Sequence, residues 1–190
     1  MPETQKPRLP PGQRAIEHLP ALHVGSVPSF DPDTWDFRVE GEVRAPRALT
    51  YRELRSLPSV IDMSDFHCVE GWSILDVAWE GVRFSDIADL ASPTDRSRFA
   101  TIGCDGGYTT SLPLADLMRP DVLLAWGMNG EDLPPEHGFP LRLIVPHKYA
   151  YKAAKWVRWV RFTYEQEIGY WEQRGYSNTA DPWREERLAR

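Results

Sequence analysis

Asp65-Phe66-His67-Cys68-Val69-Glu70-Gly71-Trp72-Ser73 brings a thiol, an imidazole, a carboxylate, an indole and a hydroxyl into one short stretch. Behind it lies an extended apolar run, Val60, Ile61 and Met63, which reads as a buried strand. A cysteine where a strand runs out into a loop is held by the sheet while its sulfur faces a cavity, as a metal thiolate bond requires. Glu70, two residues further along an extended chain, would point to the same side as Cys68. Plain packing is the competing reading, because free cysteine is among the most buried residue types.

Outward from this stretch, short elements alternate irregularly. Trp35, Phe37 and Val39 alternate with Asp36, Arg38 and Glu40, the period of a half-buried strand. Thr50-Tyr51-Arg52-Glu53 has capping-box spacing and starts a short helix through Leu57, ended by Pro58. Residues 79–84 read as a strand, with Ser85 capping a helix that carries Ile87, Ala88 and Leu90. A strand over 98–104 leads into the Asp105-Gly106-Gly107 turn, followed by a helix over 114–118. A strand over 122–128, an Asn129-Gly130 hairpin turn and a return to Leu133 come next. This pattern predicts an α+β domain built on mixed sheet, spanning residues 21–183. Residues 1–20, rich in proline, read as an extended arm, and 184–190 as a frayed surface tail.

Composition narrows the function. A net charge of −6 and a pI near 5.4 argue against a general nucleic-acid binder. No apolar run approaches the roughly 18 residues needed to span a bilayer. The first residues show neither the apolar core of a secretion signal nor a twin-arginine pair, so a cytoplasmic protein is expected. Cys68 and Cys104 are expected to be reduced.

A second informative stretch is basic in an otherwise acidic chain: Arg142, Lys148, Lys152 and Lys155, interleaved with Tyr149 and Tyr151. A basic run is often only a solvated face. Arg142, however, begins the apolar run Leu143-Ile144-Val145, where an unpaired guanidinium is costly and a bound anion would relieve it. Pairing with a carboxylate such as Glu136 or Asp132 is the other way to satisfy it.

Cys68-Val69-Glu70-Gly71-Trp72-Ser73 followed by Trp79-Glu80-Gly81-Val82 resembles the molybdenum-binding segment of the sulfite-oxidase-like molybdopterin oxidoreductases. Later motifs of that family follow in the same order: Asp105-Gly106-Gly107-Tyr108, Leu133-Pro134-Pro135-Glu136-His137-Gly138, Pro140 through Pro146, and Lys155-Trp156. The resemblance implies the family's single mixed-sheet domain and a molybdopterin cofactor with Cys68 as the protein ligand to molybdenum. It further implies cofactor contacts at His23, Cys104, His137, Arg142, Lys152, Ala153, Ala154 and Lys155. Glu70 and Tyr176 are the candidates for the reacting face.

Sulfite oxidases carry arginine directly after the ligand cysteine, whereas this chain has Val69-Glu70-Gly71, closer to the bacterial sulfoxide-reductase branch. The resemblance therefore implies two-electron oxygen-atom transfer on a small oxo substrate such as a sulfoxide or N-oxide. With no Cys-x-x-Cys-His haem motif, electrons are expected to pass to or from a separate partner protein. The alternatives are a sulfite-type oxidase and a non-catalytic module of the same fold that binds through its eight tryptophans and seven tyrosines.

Overall fold

The run Leu123-Leu124-Ala125-Trp126 is apolar at successive positions because its strand has protein on both faces. The computed structural model describes residues 7–189, and elements are numbered along the chain within that range. The run belongs to β8 (Leu123–Met128), which lies between β5 (Trp72–Arg83) and β10 (Arg142–Ile144). Leu124 and Trp126 join the larger core, while Leu123 and Ala125 join a second core on the other face with Phe66, Trp72 and Trp79. Around this centre β1 (Arg14–Ala15) and β4 (Val60–His67) pair with β5, and β9 (Glu131–Asp132) pairs with β8.

A five-stranded sheet packs against the larger core in the order β3 (Arg47–Thr50), β2 (Asp36–Gly41), β11 (Val157–Thr163), β6 (Phe99–Cys104), β7 (Thr109–Pro113). Phe37 and Val39 of β2 and Val160 and Phe162 of β11 face inward, with Arg161 and Glu40 paired on the outer face at 2.9 Å. Both sheets are mixed: β1 runs parallel to β5 and β2 parallel to β11, among otherwise antiparallel partners. The expected α+β architecture is thus built from two mixed sheets, with only short helices.

Local signals explain most boundaries. The Thr50 side chain accepts from the Glu53 amide while Glu53 returns a bond to the Thr50 amide, and this capping box starts α1 (Tyr51–Arg55). Helix α2 (Phe84–Ala91) begins one residue before Ser85, which does not cap it. The Phe84 amide instead donates to the Val122 carbonyl at 3.0 Å, so the adjoining chain satisfies the first turn. Asn129 and Gly130 both adopt positive φ, the backbone of a tight hairpin turn. A last short helix, α3 (Leu114–Leu117), follows β7 directly.

Three further expectations change. Ile61 and Met63 lie on β4 but are 70% and 64% exposed, because they stand on the uncovered face of an edge strand. Val60 and Phe66, on the opposite face of the strand, pack against the second core, and His67 is buried at its end. The arm, whose residues 1–6 lie outside the described range, contributes β1 to the sheet. Over 184–189 the tail is tied down: the Ser177 amide donates to the Arg187 carbonyl and the Ala189 amide to the Gly175 carbonyl.

No helix among the described residues is long and apolar enough to cross a membrane. Gly81 marks the tightest approach in the central sheet: a Cβ there would lie 2.6 Å from the Ala125 Cα and nearer still to the Leu124 carbonyl oxygen. Backbone on both sides leaves little room to relax. Gly81→Ala is expected to cost about 2 kcal/mol of unfolding free energy by chemical denaturation.

Candidate functional site

Strand β4 ends at His67, and the next four residues turn back into β5. The Cys68 amide donates to the Trp72 carbonyl at 2.8 Å and the Gly71 amide to the Cys68 carbonyl at 3.1 Å. Gly71 takes φ +93°, which favours glycine, and a Cβ there would lie 3.1 Å from the Gly12 carbonyl. The chain is therefore not extended through Glu70, and the alternation argument for its direction does not apply. The turn nevertheless brings both Cys68 and exposed Glu70 to the same cavity.

Burial pushes the Cys68 thiol up to about 11, opposed by backbone amides of Glu70 and Val69 and by the Arg187 charge, and reinforced by the Glu70 carboxylate. At neutral pH the free side chain is a thiol, so coordinating a metal requires it to release a proton.

The cavity, about 330 Å³, collects residues from distant parts of the chain. His23, Cys68, Glu70, Arg142, Ala153, Ala154, Lys155 and Tyr176, all singled out from sequence, line it together. Cys104, His137 and Lys152 lie outside the lining. Cys104 is a free thiol in the larger core, and its burial holds it protonated. His137 stands behind Arg142: its carbonyl accepts from the guanidinium at 2.9 Å, and burial, then Arg142 and Lys155, lowers its pKa.

The four basic residues divide into two pairs with opposite fates. Lys148 is buried and bound to Asp116 at 2.9 Å. Lys152 is fully buried and bound to Glu172, with the Ser111 carbonyl at 3.0 Å as a second acceptor. Arg142 and Lys155 remain, and among the described residues neither has a carboxylate partner. Asp132 pairs with Arg55 instead, and Glu136 offers Lys155 only its backbone carbonyl.

Arg142 is 3% exposed, its Nε has no partner, and its guanidinium carbon lies 4.8 Å from the Phe66 ring centre and 5.7 Å from that of Trp79. Burial lowers its pKa to about 10. Lys155 donates to the Leu22 and Glu136 carbonyls at 2.6 and 2.7 Å, and burial, then the nearby Arg142 charge, lowers its pKa to about 7.

Other residues in and around the cavity take their roles only from the fold. Gly138, at φ +117°, sits where a Cβ would meet the Arg142 Cβ at 3.1 Å and the Lys155 stem at 3.3 Å, so it lets the two cations converge. Trp156 adopts φ +57°, which is costly for a bulky residue, and its indole donates to the Pro135 carbonyl at 2.8 Å. The His23 ring meets that indole edge-on at 5.3 Å. Tyr108 and Trp72 were visible as parts of motifs, yet only the fold brings them to the cavity. Trp171 packs on Tyr176 at 4.9 Å and also lines the cavity, so Tyr176 is not the tail's sole contribution.

Residues 24–171 match the oxidoreductase molybdopterin binding domain. This chain belongs to that family. It is 42% identical over 185 residues to a protein of Bacillus subtilis (strain 168) named uncharacterized oxidoreductase YuiH, covering 97% of this chain and 93% of that one. It is 32% identical to a putative protein-methionine-sulfoxide reductase subunit, YedZ1, of Azospira oryzae, covering 80% of this chain and 57% of the relative. Identity to the protein-methionine-sulfoxide reductase catalytic subunit MsrP of Campylobacter jejuni is 30%, over 78% of this chain and 56% of MsrP. The chain thus spans nearly all of the Bacillus relative and little more than half of the other two. In structure it matches the sulfane dehydrogenase SoxCD from Paracoccus pantotrophus with a TM-score of 0.70 at 20% identity, over 86% of this chain and 46% of that one.

The protein is a molybdopterin-dependent oxidoreductase, and its cavity suits the cofactor chemically. Two basic groups without carboxylate partners among the described residues, one with a buried N–H free of them, match a phosphate. Ala153 and Ala154, small and buried, let a flat ring system approach the backbone. Cys68 places a soft sulfur donor on the same cavity.

Lys155 also sets a pH dependence. Its pKa in the folded chain lies below its ordinary value, so between about 7 and 10.5 the unfolded chain holds a proton that the folded chain lacks. Stability of the cofactor-free protein therefore rises with pH across that window through this group, and below it the full cost of the buried charge is present. Urea denaturation from pH 6.5 to 10 should show this rise, with a smaller slope in Lys155→Met.

Proposed function

We propose that this chain performs two-electron oxygen-atom transfer on a small, neutral oxo compound, a sulfoxide or N-oxide, with Cys68 as the protein ligand to molybdenum. The observation that carries the reading is a buried cysteine lining one cavity with two cations that lack carboxylate partners. The names of two relatives, both sulfoxide reductase subunits, support the substrate class.

When bound, the cofactor supplies the exchange of two electrons and one oxygen atom. Arg142 and Lys155 hold its phosphate, the first through a planar fork and the second as a compact charge. Phe66, Trp72 and Trp156 give the cavity apolar walls that exclude water and strengthen those contacts. Glu70, an exposed carboxylate on the ligand turn, is placed to pass protons between solvent and the reacting oxygen. Its negative charge also repels anions, which disfavours sulfite and favours a neutral substrate. Tyr176, with Trp171 packed against it, contributes a hydroxyl for an oxo substrate. Electrons reach or leave the site through a separate protein, in keeping with relatives named as subunits.

Protein produced in a host competent for the cofactor should purify with molybdenum and pterin. Cys68→Ser should stay folded and lose the thiolate-to-metal absorption band, and an unchanged visible spectrum in molybdenum-replete protein would remove Cys68 as ligand. Arg142→Met keeps the stem against Phe66 and Trp79 while deleting the charge. It should weaken pterin retention about ten- to a hundredfold, the loss of roughly one charged hydrogen bond, and leave the melting temperature of the cofactor-free form unchanged or higher. Full pterin occupancy in that variant would sink the phosphate cradle.

A further inference from the structure

The turn that carries Cys68 is gripped from outside by both ends of the chain. On one side, Gln13 Nε2 donates to the Cys68 carbonyl at 2.9 Å. The same amide's oxygen accepts from the Ser73 hydroxyl at 3.0 Å. With its only proton so used, Ser73 Oγ can only accept from His67 Nδ1, at 2.8 Å. A directed chain, His67 to Ser73 to Gln13 to the Cys68 carbonyl, therefore links both strands of the hairpin through one side chain of the arm. Backbone bonds from Arg14 to Gly71 and from Ile16 to Ser73, at 3.0 and 2.9 Å, hold that arm in register.

On the other side, the Arg187 guanidinium donates to the Val69 carbonyl and lies over the Tyr149 ring at 5.4 Å. The two ends also meet each other: a Cβ on Gly12 would lie 3.0 Å from Glu185 Oε1 and 3.1 Å from Arg187 Nη2. Arm, turn and tail form a closed collar. Residues 12–16 and 185–187 all fall outside the 24–171 stretch that matches the family.

We propose that Gln13 and Arg187 are positioning residues that fix the backbone of Cys68 and Val69, and so the direction of the Cys68 sulfur. Neither side chain lines the cavity, so both act through the turn and not on substrate. The turn itself has few internal constraints: two backbone bonds close it, neither of them to the Val69 carbonyl, and Gly71 at its end is the most pliable residue type. A ligand on such a turn keeps its aim only if neighbouring elements restrain its carbonyls. The inference concerns geometry in the cofactor-free chain. Its consequence for the enzyme rests on Cys68 being the ligand proposed above.

The test uses the full chain without cofactor, and Gln13→Glu and Arg187→Met as variants. The first keeps the acceptor for Ser73 and loses the donor to Cys68, and the second keeps the apolar stem. Alkylation of Cys68 by iodoacetamide is followed by peptide mass spectrometry at several pH values, and each rate is referred to the thiolate fraction, because Arg187 lowers the Cys68 pKa and a carboxylate at position 13 raises it; Cys104 in the same molecules is the reference. Loss of one restraining bond should raise the Cys68 rate roughly fivefold in each variant, with Cys104 unchanged. Arg187→Lys, which keeps a donor, should restore most of the slow rate. A change below about twofold in both variants, or an equal rise at Cys104, which signals general loosening, overturns the proposal. In loaded protein the same variants should shift the thiolate-to-metal absorption band without abolishing it. Should Cys68→Ser show that the cysteine is not the ligand, the band measurement loses its meaning while the alkylation result still decides whether the collar restrains the turn.

Discussion

A guanidinium buried at the head of β10, with a backbone carbonyl for a partner and aromatic rings beneath it, is the constraint on which the site turns. Removing such a group from water is expensive, and no carboxylate among the described residues neutralises it. The strand that carries it is locked beside β8 with core on both faces, so Arg142 cannot swing out to solvent. Lys155 is brought to the same place across Gly138, and the repulsion between the two cations adds to the cost. Two basic groups held together against their own preference form a site in want of an anion, which under the proposed function is the phosphate of the cofactor.

The cavity opposite these cations is assembled from segments that need tying together, and the protein does so with buried polar pairs. Lys152 and Glu172 join the turn after Tyr149 to the turn that carries Trp171, so the wall holding Ala153 and Ala154 is fixed to the wall holding Tyr176. Thr110 adds a bond to the same carboxylate from β7. A pair of this kind contributes more to uniqueness of arrangement than to stability, since losing either partner strands the other charge. The collar from Gln13 and Arg187 plays a parallel part for the cysteine turn, with carbonyls as the held groups.

Much of the architecture was legible in the residues. The alternation of Trp35, Phe37 and Val39, the capping box at Thr50, the Asn129-Gly130 turn and the strand before Cys68 are local signals with local causes, and each marks its element. The site was legible through its motifs, because a thiol at a strand end and an arginine opening an apolar strand are conspicuous wherever they occur. Where local reasoning misled, a longer-range term intervened. Ile61 and Met63 are apolar on the uncovered face of an edge strand, and Glu70 sits in a turn where alternation has no force.

What the sequence determined by itself was the set of chemical groups: a cysteine before Val-Glu-Gly-Trp, small residues before Lys155, four cations in one stretch of an acidic chain. Which of those cations would be left without a counter-charge was decided only by the tertiary structure. Lys148 and Lys152 look no different in sequence from Lys155, yet Asp116 and Glu172 meet the first two and no carboxylate among the described residues meets the third. The same holds for Cys104, a cysteine at a strand end like Cys68 that the packing of the two sheets places in the core. Pairing and burial depend on contacts between residues far apart in the chain, and such contacts exist only once the sheets have closed around them.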